Sequence, residues 1–291
     1  MCDVLNWALG RGYLENSGGG AYTGGDVCKN GQTLVAVHYQ SGQIQYTGGE
    51  FTWRLRTGSG GVNYSMENHP VVGVTWYGCV AFCNWLSEKE GRTPCYNFST
   101  WALIVPYPNG YRLPTEAEWE RAAAWDGSKH WIYGFVSDTP GGNRCNGGGG
   151  PNMVNPLGLT DYPYTSPVGW FNGVNVSPNG NRQTVDSPSP VGCYDMSGNV
   201  WECCQDWYHT SYNGAPSDGS SWETQQSGYP YRVLRGGYWA ERVSADYRSA
   251  VRGGGGAAGP FAWIYGPGFR IARNGWGSPY ASTGSHWSCY R

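Results

Sequence analysis

Charge is what this chain most lacks. Asp, Glu, Lys and Arg together make 14% of 291 residues, the formal net charge is -2, and Lys and Arg never cluster into a run. Nothing in that balance attracts a phosphate backbone, so nucleic acid is not an expected partner. Long apolar stretches are missing too. None approaches the roughly 20 residues that a membrane helix needs, and no transmembrane segment is expected. The sequence opens on Met1-Cys2-Asp3 without the charged and apolar regions of a signal peptide. If the protein is exported, a leader or a lipid anchor near Cys2 is expected to have been removed. What fills the space instead is 47 glycines, 18 prolines, 16 tryptophans and 22 tyrosines. Disordered chains are poor in aromatics, so these point to ordered loops packed by rings.

Ten cysteines form an even set that suits an exported protein with some disulfides, although pairing is not readable from sequence. Cys79 and Cys83 lie four apart in a helical pattern, where core packing and metal binding are both open readings. Cys203-Cys204 lacks C-x-x-C geometry, and no two of His38, His69, His130, His209 and His286 have ligand spacing, which argues against zinc.

Short alternating runs at Leu34 to Tyr39, Ile44 to Tyr46 and Glu50 to Leu55 read as opening strands within the first 68 residues. Thr75 then precedes Cys79, Phe82, Cys83 and Leu86 at helical spacing, with Gly91 after a charged last turn. A second helix is predicted at Thr115, where Thr-Glu-Ala-Glu forms a capping box and Trp119, Ala122 and Ala123 face inward. Beyond Ala124, Gly/Pro/Asn-rich connections separate strand candidates to the end. Two helices and many strands that do not alternate predict an α+β fold, in one domain over 1–291.

Four segments carry a resemblance. They are HPVVGVTW from His69 to Trp76, GYRLPTEAEWERAA from Gly110 to Ala123, YDMSGNVWEC from Tyr194 to Cys203, and RVLRGG from Arg232 to Gly237 with GFRIAR from Gly268 to Arg273. In this order, over about residues 69 to 273, they resemble the formylglycine-generating enzymes, whose fold is related to the C-type lectins. The resemblance implies that fold, with long ordered loops. It also implies an oxidase using two cysteines that bind copper shortly after an R-G-G motif. Here residues 236 to 248 contain no cysteine, and copper(I) needs soft thiolates that Glu241 and Asp246 do not replace. Relocation of Cys203, Cys204 or Cys289 is the way such an enzyme would survive. The same family binds calcium near its G-N-V-W-E motif, which makes Asn199 and Glu202 candidate oxygen ligands. Their alternative roles are a turn cap for Asn199 and an arginine partner for Glu202.

Residues 238 to 267 fit the flanks but not the filling, although R-x-A-x-R survives as Arg248-Ser249-Ala250-Val251-Arg252. This segment resembles the variable proteins of diversity-generating retroelements, in which adenines of AAC and AAT codons are randomised. Such replacement yields Tyr, Ser, Ala, Asp, Gly, Val, Phe, Ile, Pro and Arg but not Trp or Glu. An ordinary Gly-rich loop is the alternative. The resemblance implies a receptor-type protein of the bacterial cell surface, non-catalytic, with an unidentified protein or glycan ligand. Its expected binding residues are Tyr238, Ala240, Glu241, Arg242, Val243, Ala245, Asp246, Tyr247, Val251, Gly253, Gly254, Phe261, Ala262, Trp263 and Tyr265. Tyrosine and tryptophan give rigid contact area at low entropy cost, and the charged side chains give polar specificity. Two other readings stand beside it: an oxidase that has lost or moved its cysteines, and a calcium-dependent sugar lectin, for which neither an E-P-N nor a Q-P-D motif is present.

Overall fold

The computed structural model describes residues 1–17, 22, 25–148, 154–254 and 267–274. The chain opens with α1 (Cys2–Gly10), then β1 (Glu15–Asn16), β2 (Val27–Lys29) and β3 (Gln32–Val35), which pair antiparallel in sequence order. Two hairpins follow, β4 (Ile44–Thr47) with β5 (Glu50–Trp53) and β6 (Leu55–Thr57) with β7 (Asn63–Ser65). Next come α2 (Trp76–Lys89), β8 (Tyr111–Arg112), α3 (Glu116–Ala124), and a small hairpin of β9 (Val176–Ser177) and β10 (Arg182–Gln183). The last part holds β11 (Glu202–Trp207), β12 (Arg232–Arg235), β13 (Arg252–Gly254), β14 (Gly268–Phe269) and β15 (Ala272–Arg273), the last paired with β8.

The two predicted helices form where their signals lie. Thr75 accepts from Gly78 N at 3.0 Å to start α2, and Cys79 and Cys83 are fully buried in its core face, as packing groups. Gly78 is required by contact: a β-carbon there would lie 2.1 Å from the Leu34 carbonyl oxygen, so helix and strand meet backbone to backbone. At α3 the capping box closes both ways, Glu118 N to Thr115 Oγ1 at 3.1 Å and Thr115 N to Glu118 Oε2 at 2.9 Å. Trp119, Ala122 and Ala123 are buried as their spacing predicts.

A third helix, α1, corrects the expectation that the first 68 residues are only strands and turns. It lacks a side-chain N-cap and is nine residues long, and it is held by tertiary burial of Val4, Leu5 and Ala8 against the core beside α2. The fold is mixed α+β. A four-stranded sheet, ordered β13-β12-β11-β14, organises the C-terminal half, with β11 antiparallel to β12 but parallel to β14. Trp76 ties α2 to that sheet by donating Nε1 to the Cys204 carbonyl at 3.1 Å. On the other side, α3 packs Trp119 and its alanines against Met196, Cys204 and Val233. Among the described residues no helix is long and apolar enough to cross a membrane.

Candidate binding face beside the four-stranded sheet

The first part of the segment expected to bind ligand, residues 238 to 251, leaves the sheet at the end of β12 and returns as β13, so this loop is held at both ends by antiparallel pairing, while residues 255 to 266 lie outside the described residues. Gly236 and Gly237 make the exit with φ of +95° and +74°, a region that suits glycine. At Gly237 a β-carbon would also lie 2.8 Å from the Asp246 carbonyl oxygen and from Tyr247 Cβ. The returning limb therefore presses directly on the double glycine. Two backbone bonds anchor the start of the loop to the G-N turn: Gly198 N donates to Gly236 O at 2.8 Å, and Trp239 N to Asn199 O at 3.0 Å.

From this base the side chains divide. Trp239 is buried at 3% exposure, and its ring lies 5.5 Å from Tyr162 and 5.0 Å from Tyr164. Tyr238 is half-buried, edge-on to Trp239. Ala240, Glu241, Ala245, Asp246 and Val251 are partly exposed, whereas Arg242 and Val243 stand out in solvent. A 3₁₀ turn, Ser244–Tyr247, folds the loop back. Gly253 is half-buried, with the Trp201 ring 3.3 Å from where its β-carbon would be, and Gly254 ends β13. Phe261, Ala262, Trp263 and Tyr265 lie outside the described residues.

Tyr247 is a correction. Expected on the displayed face, it is 6% exposed and packs with Tyr133, Phe135 and Cys145. A tyrosine in a Gly-rich stretch fits a binding loop and a loop anchor equally well, and its neighbours come from more than 100 positions upstream.

Glu241 is the unusual group on the face. Burial, reinforced by the nearby Asp246 charge and only partly offset by a hydrogen bond from Trp201, pushes its carboxyl up to about 7. The face thus changes charge near neutral pH. The sequence carried no sign of this. It also gave no sign that Tyr162 and Tyr164 extend the aromatic surface, since the Tyr-Pro-Tyr of a Pro-rich loop shows no spatial neighbour.

The scaffold residues behind the face are tightly paired. Arg235 donates Nη1 to the carbonyls of Ala250 and Val251 at 3.2 and 3.0 Å and pairs with Glu120, so the strand and the R-x-A-x-R limb are locked together. Arg252 reaches Glu116 through two nitrogens, at 2.5 and 2.9 Å. Both arginines that bracket the loop thus hold its frame, not its surface.

Residues 27–275 match the sulfatase-modifying factor enzyme 1-like domain. The chain belongs to that family. It is 31% identical over 205 residues to the formylglycine-generating enzyme of Thermomonospora curvata, covering 69% of this chain and 55% of the relative. It is 32% identical over 206 residues to the inactive C-alpha-formylglycine-generating enzyme 2 of Mus musculus, covering 68% and 47%. The chain thus spans about half the length of these curated relatives. Among solved structures, Treponema denticola variable protein 1 aligns with a TM-score of 0.46 at 28% identity, over 74% of each chain.

The family's copper chemistry needs a thiolate pair, and the donors here do not fit it. Residues 236 to 248 carry no cysteine. Cys203 and Cys204 are fully buried in separate core clusters, and burial raises the Cys204 thiol well above its ordinary value. Cys145, which packs with Tyr247 of the loop, is buried with rings, and its pKa is raised by burial. Cys289 lies outside the described residues. Eight of the ten cysteines are free and buried, while Cys193 is disulfide-bonded.

The expected calcium ligands are engaged by the protein. Asn199 Oδ1 accepts from Ser166 N at 2.9 Å and its Nδ2 donates to Ser166 O at 3.2 Å, a staple for the turn that carries the loop. Glu202 Oε1 accepts from Arg270 Nη2 and its Oε2 from Trp119 Nε1, both at 2.6 Å. The arginine partner is therefore Arg270.

Proposed function

We propose that the protein is a non-catalytic, receptor-type binder that presents a diversified face on a formylglycine-generating-enzyme scaffold. One observation carries the reading: the loop that the family uses for its cysteine pair holds no thiol and instead leaves Tyr238 and Glu241 partly exposed and Arg242 and Val243 in solvent, on a backbone held at both ends of the loop. A fixed frame under variable side chains gives affinity without the ordering cost of a mobile loop. That a relative bears the name inactive supports a scaffold separable from its oxidation chemistry. Binding makes and breaks no bond. The ligand is a protein or a glycan, met outside the cell, where the bonded Cys193 persists in its oxidised state.

The test is a displayed library randomised at Tyr238, Ala240, Glu241, Arg242, Val243 and Ala245 and selected on unrelated proteins and glycans. Specific binders whose affinity is lost on reversion of those positions are expected. The competing oxidase reading is tested with a Cys-x-Pro-x-Arg peptide, copper and oxygen, and aldehyde formation would overturn the non-catalytic assignment.

A further inference from the structure

On the far side of Tyr162 lies a cleft of about 540 Å³ whose polar lining includes Gln40, Gln45, Arg54, Arg56, Asp161 and Tyr162. Its volume is that of a small-ligand site. Two guanidinium groups form its floor, and neither has a carboxylate partner among the described residues. Arg54 donates to the side-chain oxygens of Gln40 and Gln45 at 3.0 and 3.3 Å, and to the Val37 and Tyr39 carbonyls at 2.9 and 3.4 Å. Arg56, 7% exposed, donates Nη2 to the carbonyls of Gln40 and Gly42 at 2.8 and 2.9 Å, and Nε to Gln43 at 3.3 Å. Its Nη1 has no partner among the described residues.

Two like charges side by side at low exposure are costly. Burial and the neighbouring Arg54 charge, partly offset by the Asp161 carboxylate, lower Arg56 to about 10, which still leaves it cationic at neutral pH. Elsewhere among the described residues the arginines of low exposure are matched: Arg112 by Glu118, Arg232 by Glu223, Arg235 by Glu120, Arg252 by Glu116 and Arg270 by Glu202. Arg54 and Arg56 depart from that practice where this cleft opens onto them.

We propose that this cleft is a carboxylate-binding site, taking the singly charged acidic group of a small molecule or of a partner's side chain against the Arg54 and Arg56 floor. Arg56 Nη1 is the guanidinium donor left free for a carboxylate, whereas the terminal nitrogens of Arg54 are spent on protein oxygens and its Nε is buried, so Arg54 contributes its charge. Asp161, exposed on the same lining, sets the charge: one negative group is balanced by the two arginines, whereas a dianion such as sulfate meets the aspartate's repulsion. The cleft shares the Tyr162 ring with the aromatic wall under Trp239, so an acidic group held here sits beside the displayed face. It does not depend on that face being diversified.

The experiment uses the whole chain with N-acetylglycine, its uncharged amide, and sulfate, read by ligand-observed NMR and calorimetry. Saturable binding of N-acetylglycine on the order of millimolar is expected from so few contacts, with no binding of the amide and competition by sulfate at least tenfold weaker. Arg54→Gln, which removes one charge but no donor facing the cleft, weakens binding about threefold. Because Arg54 also braces backbone carbonyls, the exposed Asp161→Asn is the second variant. It preserves the fold and tightens binding about threefold, from removal of one charge screened by water. Failure of N-acetylglycine to bind, affinity unchanged in both variants, or sulfate competing as well as the carboxylate would overturn the proposal. Tyr238→Ala leaves this binding intact, so loss of the display reading and loss of the cleft are separately visible. A doubly capped Ala-Glu-Ala peptide that binds within tenfold of N-acetylglycine assigns the occupant to a partner's side chain, and its exclusion assigns a free small acid.

Discussion

Glu241 shows how far a single residue escapes sequence. Its type and its place in the loop are readable, but its proton affinity comes from burial and the nearby Asp246 charge, which outweigh the opposing Trp201 hydrogen bond. The consequence is a pH dependence of known sign. In the unfolded chain the carboxyl titrates near 4.3, and in the folded chain burial moves it to about 7. Between those values the native state holds a proton that the unfolded state has released, so this group's cost is absent below about pH 4.3 and complete above about pH 7. Glu241→Gln removes the cost. Its stability relative to the parent should rise by about 1 kcal/mol between pH 5 and pH 8, after allowance for solvent screening. Subtracting the two denaturation curves at each pH cancels the similarly raised Asp195 and Asp206. Parallel curves would show that Glu241 titrates as an ordinary surface carboxylate.

Elements were legible where the signal is local. Thr75 and the Thr115 capping box announced α2 and α3, and the runs at Ile44 to Tyr46 and Glu50 to Leu55 fall on the paired strands β4 and β5, whereas of Leu34 to Tyr39 only Leu34 and Val35 are strand. The helix α1 was not, because a nine-residue segment with no cap owes its form to the core it lies on. Nor was the sheet order, since β14 joins β11 in parallel across more than 60 residues. The loop itself was legible through RVLRGG and R-x-A-x-R, which mark its two ends. Its conformation hangs on Gly237, where the backbone is left-handed and the Asp246 carbonyl leaves no room for a methyl. Gly237→Ala combines both penalties and is expected to cost about 3 kcal/mol. Chemical denaturation should show a lower midpoint with an unchanged slope, and a loss under 0.5 kcal/mol would mean that the loop is free to move away.

For the whole molecule, the relevant division runs between side chains that hold the frame and side chains that meet solvent. Sequence placed Tyr238 and Tyr247 together on the display side. The fold separates them, because Tyr247 fills a pocket made by Tyr133, Phe135 and Cys145, and Gly147, having no side chain, lets that ring lie close against its backbone. Removing a buried aromatic of this kind costs about 3–5 kcal/mol, whereas exposed substitutions are usually within about 0.5 kcal/mol. A scaffold that tolerates diversification must draw its stability from the first class alone. A pooled library varied at once at Tyr238, Ala240, Arg242, Val243 and Ala245 should therefore melt within a few degrees of the parent, since those changes touch little of the core. Adding Trp239 and Tyr247 to the pool should remove most folded members, as scored by protease resistance on the display surface. Equal survival of the two pools would place the anchors of the face elsewhere, because the binding surface and the hydrophobic core would then share the same residues without conflict.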